Sequence, residues 1–190
     1  DLPFNTVGSS NISVGDLDGD SLDDIVLFSG IAPNEAAQIS ILKNNGDGTW
    51  GADVIAADGI TGNLELVNAD GSTELISSPA TIYNLDDLEI SDVDNNGYQD
   101  LLVYSGNNSL FVLENYGPDT DWDYSLIANR LGSSDQSYFV LPNGSTQDLP
   151  FNTVGSSNIS VGDLDGDGLD DIVLFSGIAP NEAAQISILK

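Results

Sequence analysis

The hydrophobic residues of this chain follow a strand-like pattern that occurs three times. In each occurrence, apolar residues alternate with polar ones, an acidic segment follows, and a run of four apolar residues then ends at a Ser-Gly pair. Alternation with a period of two predicts a half-buried strand. The alternating stretches are residues 11–15, 87–91 and 158–162, and the apolar runs are residues 25–28, 101–104 and 172–175.

Two more predicted strands complete the first two occurrences. ISIL (39–42) and LFVL (110–113) are each followed by a turn rich in Gly, Asn and Asp, and then by a strand that begins near a tryptophan. The segments NADG and PNG add a hairpin signal, and no segment of useful length has helical periodicity. We therefore predict an all-β fold of tandem, four-stranded antiparallel sheets.

The sequence also repeats itself on two scales. Residues 1–43 recur at residues 148–190 with one difference, since Gly168 stands where the first copy has Ser21. A weaker repeat divides the interval in half, because similar acidic segments begin at Asp16, Asp92 and Asp163. This periodicity predicts three units: residues 1–62, incomplete at the amino end, residues 63–135, and residues 136–190, incomplete at the carboxyl end.

Each acidic segment is a candidate metal-binding loop. The segments are DLDGDSLDD (16–24), DVDNNGYQD (92–100) and DLDGDGLDD (163–171), and they carry carboxylate or amide side chains at positions 1, 3, 5 and 9. The residue at position 7 can offer only its backbone carbonyl. The predicted ligands are Asp16, Asp18, Asp20, Leu22 and Asp24, then Asp92, Asp94, Asn96, Tyr98 and Asp100, then Asp163, Asp165, Asp167, Leu169 and Asp171.

Calcium is the ion that this donor set favours. Ca²⁺ takes about 6–8 oxygen ligands, whereas Mg²⁺ prefers a small octahedron that retains water, and transition metals favour His or Cys, which the chain lacks. A solvated Asp/Gly turn is the alternative without an ion, but the spacing recurs three times. An EF-hand is excluded because it needs a Glu at position 12, where this chain has Leu27, Val103 and Leu174.

The composition argues against several classes of partner and against catalytic activity. Asp and Glu number 31 against 3 Lys and Arg, which gives a formal charge of −28 and argues against partners such as nucleic acid or an anionic membrane. No apolar run approaches the roughly 18 residues of a membrane span, so we expect no membrane insertion. Without His, and with its Asp residues assigned to metal loops, the chain shows no catalytic constellation, and we expect it not to be an enzyme.

The motifs DLDGDSLDDIVL, DVDNNGYQDLLV and DLDGDGLDDIVL resemble FG-GAP/VCBS repeats, the calcium-binding repeats of integrin-α-like β-propellers, and NNGDGTW (44–50) is similar to a turn common in VCBS repeats. The resemblance implies four-stranded blades with Ca²⁺ in the loop between the first two strands, an extracellular or cell-surface location, and a role in adhesion, in glycan binding or beside a secreted hydrolase. Because two and a half units cannot close a ring of about 4–8 blades, we expect an incomplete propeller or an open repeat array.

These observations predict an extracellular calcium-binding structural or adhesive module, part of a longer surface protein or filament, that associates head to tail. The alternatives are a glycan-binding propeller fragment and a non-catalytic accessory domain of a secreted hydrolase; a glycan or a cell-surface protein is the further partner expected. Trp50 and Trp122 occupy matching turns, and we expect them to pack between units, although exposure beside a pocket would favour a lectin. We also expect the 163–171 loop to bind calcium most tightly, because Ser21 replaces the glycine at position 6 of the first loop and Asn96 removes a charge from the second.

Overall fold

The computed structural model describes residues 11–29, 38–58, 64–68, 70–75, 85–105, 109–118, 121–130, 137–140, 145–148, 156–176 and 185–189. All regular structure within these ranges is β-strand, and every strand pairs with its neighbours in antiparallel orientation. The predicted all-β antiparallel fold is confirmed. In the same ranges, none of the elements is a helix with the length and hydropathy that a membrane span needs.

The strands form three sheets in which sequence neighbours are also neighbours in space. The first sheet contains β1 (Asn11–Gly15), β2 (Asp24–Ser29), β3 (Gln38–Asn44), β4 (Trp50–Asp58), β5 (Leu64–Val67) and β6 (Thr73–Leu75). The second contains β7 (Leu85–Ser91), β8 (Asp100–Ser105), β9 (Ser109–Glu114), β10 (Asp123–Arg130), β11 (Ser137–Val140) and β12 (Thr146–Asp148). The third contains β13 (Ser156–Gly162), β14 (Asp171–Ser176) and β15 (Gln185–Leu189).

The first two sheets have six strands rather than the four expected per unit. The additional hairpins, β5–β6 and β11–β12, continue the sheet that precedes them, and the unit boundaries predicted after residues 62 and 135 fall inside those sheets. The end of β4 extends far enough to pair with β5, and the turn between β5 and β6 is closed by the Asn68 amide, which donates to the Ser72 carbonyl at 2.9 Å. The division of the sequence into three repeat units stays a prediction.

The sheets stack face to face, and alternate residues of the second sheet enter two different interiors. The first interior lies between the first and second sheets. It contains Val26, Phe28, Ile39 and Ile41 of the first, with Leu88, Leu101, Val103, Phe111 and Leu113 of the second. The second interior joins Leu102, Tyr104, Leu110 and Val112 to Ile159, Ile172 and Leu174 of the third sheet. The apolar runs LLVY and LFVL are thus uninterrupted because β8 and β9 are buried on both faces.

Each sheet therefore has two distinct faces. The face directed at the preceding sheet in the sequence is called the leading face, and the face directed at the following sheet is called the trailing face. The trailing face of the first sheet (Val26, Phe28, Ile39, Ile41) packs on the leading face of the second, and the trailing face of the second packs on the leading face of the third.

Candidate metal centres

Each acidic loop connects the first two strands of its sheet. The last residue of the first strand pairs with the aspartate at position 9, which begins the second strand: Gly15 with Asp24, Ser91 with Asp100, and Gly162 with Asp171. The ladder thus fixes both ends of the loop, and the intervening residues must fold into a compact turn. An oxygen cluster at this place is held by the strand pairing on both sides.

The aspartates at positions 1, 3 and 9 converge in all three loops. Each offers a carboxylate oxygen, and the three oxygens of a loop lie within 4.8 Å of one another. Two oxygens bound to one Ca²⁺ at about 2.3–2.6 Å can be separated by up to about twice that distance, so the spacing fits a shared calcium ion. The clusters are Asp16, Asp18 and Asp24; Asp92, Asp94 and Asp100; and Asp163, Asp165 and Asp171.

The aspartate at position 1 organises the loop through backbone amides. In the first loop, Asp16 Oδ1 accepts from the Gly19 amide at 2.8 Å and Oδ2 accepts from the Ser21 amide at 2.9 Å. Asp92 and Asp163 accept equivalent bonds from the Gly97 and Gly168 amides, at 2.9 and 3.0 Å. Since a carboxylate has about four acceptor sites, these bonds leave lone pairs available to a cation.

Two positions of every loop have a left-handed backbone. At position 4 the φ angles are 79° at Gly19, 58° at Asn95 and 81° at Gly166, and at position 6 they are 71° at Ser21, 93° at Gly97 and 89° at Gly168. Glycine adopts this conformation without strain and Asn tolerates it, whereas other L-residues do not. Ser21 is therefore the strained member of the set, at the position that the sequence analysis singled out.

The aspartate at position 9 is the buried member of each carboxylate cluster. Asp24 and Asp100 are 0% exposed and Asp171 is 5% exposed. Burial raises the pKa of Asp24 and raises the pKa of Asp100 to about 6; nearby loop carboxylates add to the rise, although backbone N–H donors oppose it. A buried carboxylate surrounded by other carboxylates is stabilised when a cation joins it.

Positions 5 and 7 of each loop are joined to each other by a hydrogen bond. Asp20 and Asp167 lie outside the carboxylate clusters, and each accepts a bond from the position 7 amide, Leu22 at 2.8 Å and Leu169 at 2.9 Å. Asn96 Oδ1 likewise accepts from the Tyr98 backbone amide at 2.8 Å. The Asn96 side-chain amide also donates to Asp94 Oδ2, at 3.1 Å. The metal-ligating roles of positions 1, 3, 5, 7 and 9 all stay predictions.

An asparagine at the carboxyl end of the third strand of each of the first two sheets supports the loop of that sheet, and the sequence analysis missed it. The Asn44 amide donates to Asp24 Oδ1 at 2.9 Å, and the Asn115 amide donates to Asp100 Oδ1 at 2.8 Å. Their side chains reach the carbonyls of Asp23 and Gln99, at 3.3 and 3.0 Å. The signal was present, because an Asn follows ISILK and LFVLE at the same position.

Neighbouring loops also contact one another across the stack. The Asn115 side chain donates to the Leu17 carbonyl of the first loop at 2.7 Å, and Ser91 donates to Asp170 of the third loop at 2.8 Å. Asp16 and Asp18 are partly buried, whereas Asp163 and Asp165 are exposed. Hydrogen bonds therefore connect residues at the ends of strands in the second sheet to the loops of the first and third sheets.

The two tryptophans have different environments despite their matching sequence positions. Trp50 is 47% exposed, whereas Trp122 packs against the first interior. A cavity of about 350 Å³ between the first two sheets is lined by Trp122 together with Asp18 and Lys43, and Trp50 is not among the described residues around it. The arrangement that would have favoured a lectin, two exposed tryptophans beside a pocket, is not formed.

Comparison with known protein families identifies one repeat. Residues 156–189 match the model of the FG-GAP repeat, so the family resemblance inferred from the motifs is confirmed. This segment comprises β13, the 163–171 loop, β14 and β15, and residues 9–42 have the same sequence except at Ser21. FG-GAP repeats are structural, non-catalytic units that typically occur in extracellular proteins. Comparisons with curated proteins and with solved structures give no significant match.

Proposed function

We propose that this chain, which carries an FG-GAP repeat at residues 156–189, is an extracellular structural module whose three acidic loops bind Ca²⁺. The observation that carries the proposal is the recurrence of one oxygen cluster: positions 1, 3 and 9 bring three carboxylate oxygens within 4.8 Å in each loop. A solvated turn has no need to bury its ninth residue, yet Asp24, Asp100 and Asp171 are all buried.

The donor chemistry supports calcium over other cations. Each cluster offers three hard oxygen donors at close spacing, and the remaining positions of a coordination shell of about 6–8 oxygens can be filled by position 5, by the carbonyl of position 7 and by water. FG-GAP repeats are often calcium-binding. The absence of His and Cys from the sequence removes the ligands by which zinc or copper would compete.

A bound ion would stabilise the fold. Positions 1 and 3 follow the first strand and position 9 begins the second, as Asp16, Asp18 and Asp24 do around β1 and β2. An ion shared by these residues ties the two strands together and neutralises carboxylates that otherwise repel one another. At a hundredfold excess over Kd, each ion stabilises the folded state by about 2.7 kcal/mol.

The biological role that follows is mechanical and adhesive rather than catalytic. Repeated sheets that stack in series and are each fixed by an ion form an extended surface, which suits a segment of a longer cell-surface protein or filament. The formal charge of −28 is compatible with a calcium-rich or saline medium, where it is neutralised and screened. The partner on which the surface acts is a cell-surface protein or a second copy of the module.

Calcium titration calorimetry with loop variants tests the proposal. We expect the wild-type chain to bind three Ca²⁺ ions, and Asp18→Asn, Asp94→Asn and Asp165→Asn each to lose one while the other two remain. Glu74→Gln, which removes a charge from an exposed residue of β6, is the matched control and should leave three sites. A chain that binds no calcium, or loop variants that retain all three sites, would refute the proposal.

A further inference from the structure

The middle loop, residues 92–100, holds an Asn-Gly dipeptide where the other two loops hold an aspartate. Its position 5 is Asn96, followed by Gly97, whereas Asp20 and Asp167 occupy position 5 elsewhere. An asparagine before glycine is especially prone to deamidation, because glycine has no Cβ to hinder the approach of its nitrogen to the asparagine amide carbon. Asn96 and Gly97 are both exposed, so water has access to this dipeptide.

Deamidation of this dipeptide needs water as its only co-reactant. The Gly97 nitrogen forms a bond to Asn96 Cγ, the bond from Cγ to Nδ2 breaks, and ammonia leaves with the proton that the Gly97 nitrogen gives up. Water then opens the resulting succinimide ring. Cleavage of the new bond to Cγ yields aspartate, whereas cleavage of the original peptide bond yields isoaspartate. In both products a carboxylate replaces an amide donor.

The folded loop restrains both reacting groups with hydrogen bonds. The Gly97 amide donates to Asp92 Oδ2 at 2.9 Å, so this bond must break before the nitrogen can attack. Asn96 Oδ1 accepts from the Tyr98 amide at 2.8 Å. Asn96 Nδ2 donates to the Asn115 carbonyl at 2.8 Å, which ties the side chain to the segment after β9. Deamidation of Asn96 therefore requires the loop to open.

The Asn96 side-chain amide is also the donor that two neighbouring oxygens share. Nδ2 donates to Asp94 Oδ2 at 3.1 Å as well as to the Asn115 carbonyl, and Asp94 belongs to the carboxylate cluster of this loop. The ionised carboxylates of Asp20 and Asp167 have no N–H and cannot supply such a donor. After deamidation of Asn96, a carboxylate faces the same two oxygens, and its charge repels that of Asp94.

We propose that Asn96 is a deamidation site that the folded 92–100 loop protects, and that its conversion to aspartate makes this loop dependent on a cation. Before the reaction, the loop's own amide satisfies two oxygens. Afterwards a bound Ca²⁺ is needed to neutralise the added charge. The dependence on a cation rests on the proposed function, whereas the protection of Asn96 does not.

Peptide mapping by mass spectrometry tests the protection, with the dipeptide Asn45–Gly46 as the matched control. Within the described part of the chain, the exposed Asn45 side chain makes one hydrogen bond, to Thr49 Oγ1 at 3.0 Å. The chain is incubated at mildly alkaline pH, either unfolded in urea or in a buffer in which circular dichroism verifies folding. Both asparagines should deamidate at similar rates in urea. In the folded chain Asn96 should react at least about tenfold more slowly than Asn45, because more hydrogen bonds must break. Equal rates in the folded chain would overturn the protection.

Thermal unfolding of substituted chains tests the dependence on a cation. Asn96→Asp reproduces the aspartate product, and Asn96→Ala removes the donor without adding a charge. In EDTA, Asn96→Asp should lower Tm by at least about 4 °C, since two hydrogen bonds are lost and a charge is added, and Asn96→Ala should lower it less. In saturating calcium the Asn96→Asp loss should shrink by more than half, while the Asn96→Ala loss should remain. Asn45→Asp makes the same change at the control dipeptide and should shift Tm equally in both buffers.

The outcomes separate this proposal from the proposed function. An Asn96→Asp chain that is as stable as the wild type in EDTA, or that is equally destabilised with and without calcium, would overturn the dependence on a cation. A chain that unfolds in EDTA and folds in calcium would be the strongest form of the expected result. If calorimetry shows that the wild type binds no calcium, the proposed function fails and the dependence on a cation fails with it. The deamidation rates of Asn96 and Asn45 still decide whether the loop protects Asn96.

Discussion

The left-handed backbone of Ser21 leads to a prediction about how replacing this residue with glycine changes the stability of the folded state. Ser21 has a φ of 71°, whereas its equivalents Gly97 and Gly168 have φ values of 93° and 89°. A left-handed conformation costs an L-residue roughly 1–2 kcal/mol relative to glycine. Glycine in turn adds entropy to the unfolded chain, which offsets about 0.4–1 kcal/mol of that gain. Ser21→Gly should therefore stabilise the folded state by about 0.5–1 kcal/mol.

The reverse substitution supplies the matched measurement. A Cβ at Gly168 meets no atom of the described residues within 4 Å, so we expect the cost of Gly168→Ser to come from the backbone conformation and not from a collision. It should destabilise the chain by about the amount that Ser21→Gly gains. Asn95, with a φ of 58°, is the internal control: Asn tolerates this region, and Asn95→Gly should change stability less than Ser21→Gly.

Urea unfolding in saturating calcium measures these free energies, and calorimetry measures the consequence for binding. For a chain of this size, 1 kcal/mol corresponds to a shift in Tm of roughly 2–4 °C. If the ion-free loop relaxes, Ser21→Gly should also raise the calcium affinity of the 16–24 loop by about two- to fivefold. A Ser21→Gly variant that is less stable than the wild type, or a Gly168→Ser variant with unchanged stability, would refute the strain argument.

Three further outcomes follow from burial and charge. Burial raises the pKa of Asp100 to about 6, so protons should compete with calcium at the 92–100 loop. Calorimetry at pH 5 should therefore give a calcium affinity about tenfold below that at pH 7. A pH-independent affinity would contradict this. In the calcium-free chain the same raised pKa favours the protonated folded state. The contribution of Asp100 to stability should therefore be present below its unfolded pKa of 3.8 and be lost as pH rises through about 6. Urea unfolding across that pH range measures this change. Phe28→Ala should lower the free energy of unfolding by about 3–5 kcal/mol, and Phe175→Ala by clearly less, since the two phenylalanines are 1% and 37% exposed. Equal losses for the two variants in urea unfolding would contradict this difference in burial.

The alternation of apolar residues was sufficient to predict the strands and their antiparallel order. It was not sufficient to predict which hairpins join which sheet, because a strand such as Leu64–Val67 pairs equally well in sequence terms with β4 before it or β7 after it. In the structure β5 pairs with the last residues of β4. Alternate residues of LLVY (101–104) enter two different interiors because three sheets stack. A local sequence pattern does not predict that stacking.

The candidate site was more accessible from sequence than the fold, since ligand spacing within one loop is a local property. Positions 1, 3 and 9 converge as expected, while position 5 turns toward the amide of position 7 in all three loops. The supporting Asn44 and Asn115 come from a different strand, so only the strand pairing brings them to the loop. The left-handed Ser21 could be anticipated because the second copy has glycine there.

Thermal unfolding with and without calcium tests the central claim most directly. Three clustered carboxylate sites in a chain with no cysteine for a disulfide should make the ion a main source of stability, at about 2.7 kcal/mol per site at a hundredfold excess over Kd. The account predicts that chelation by EDTA lowers Tm by at least ~10 °C and that calcium, but not an equal concentration of magnesium, restores it. A melting curve that is unchanged after the metal has been verifiably removed would contradict the account.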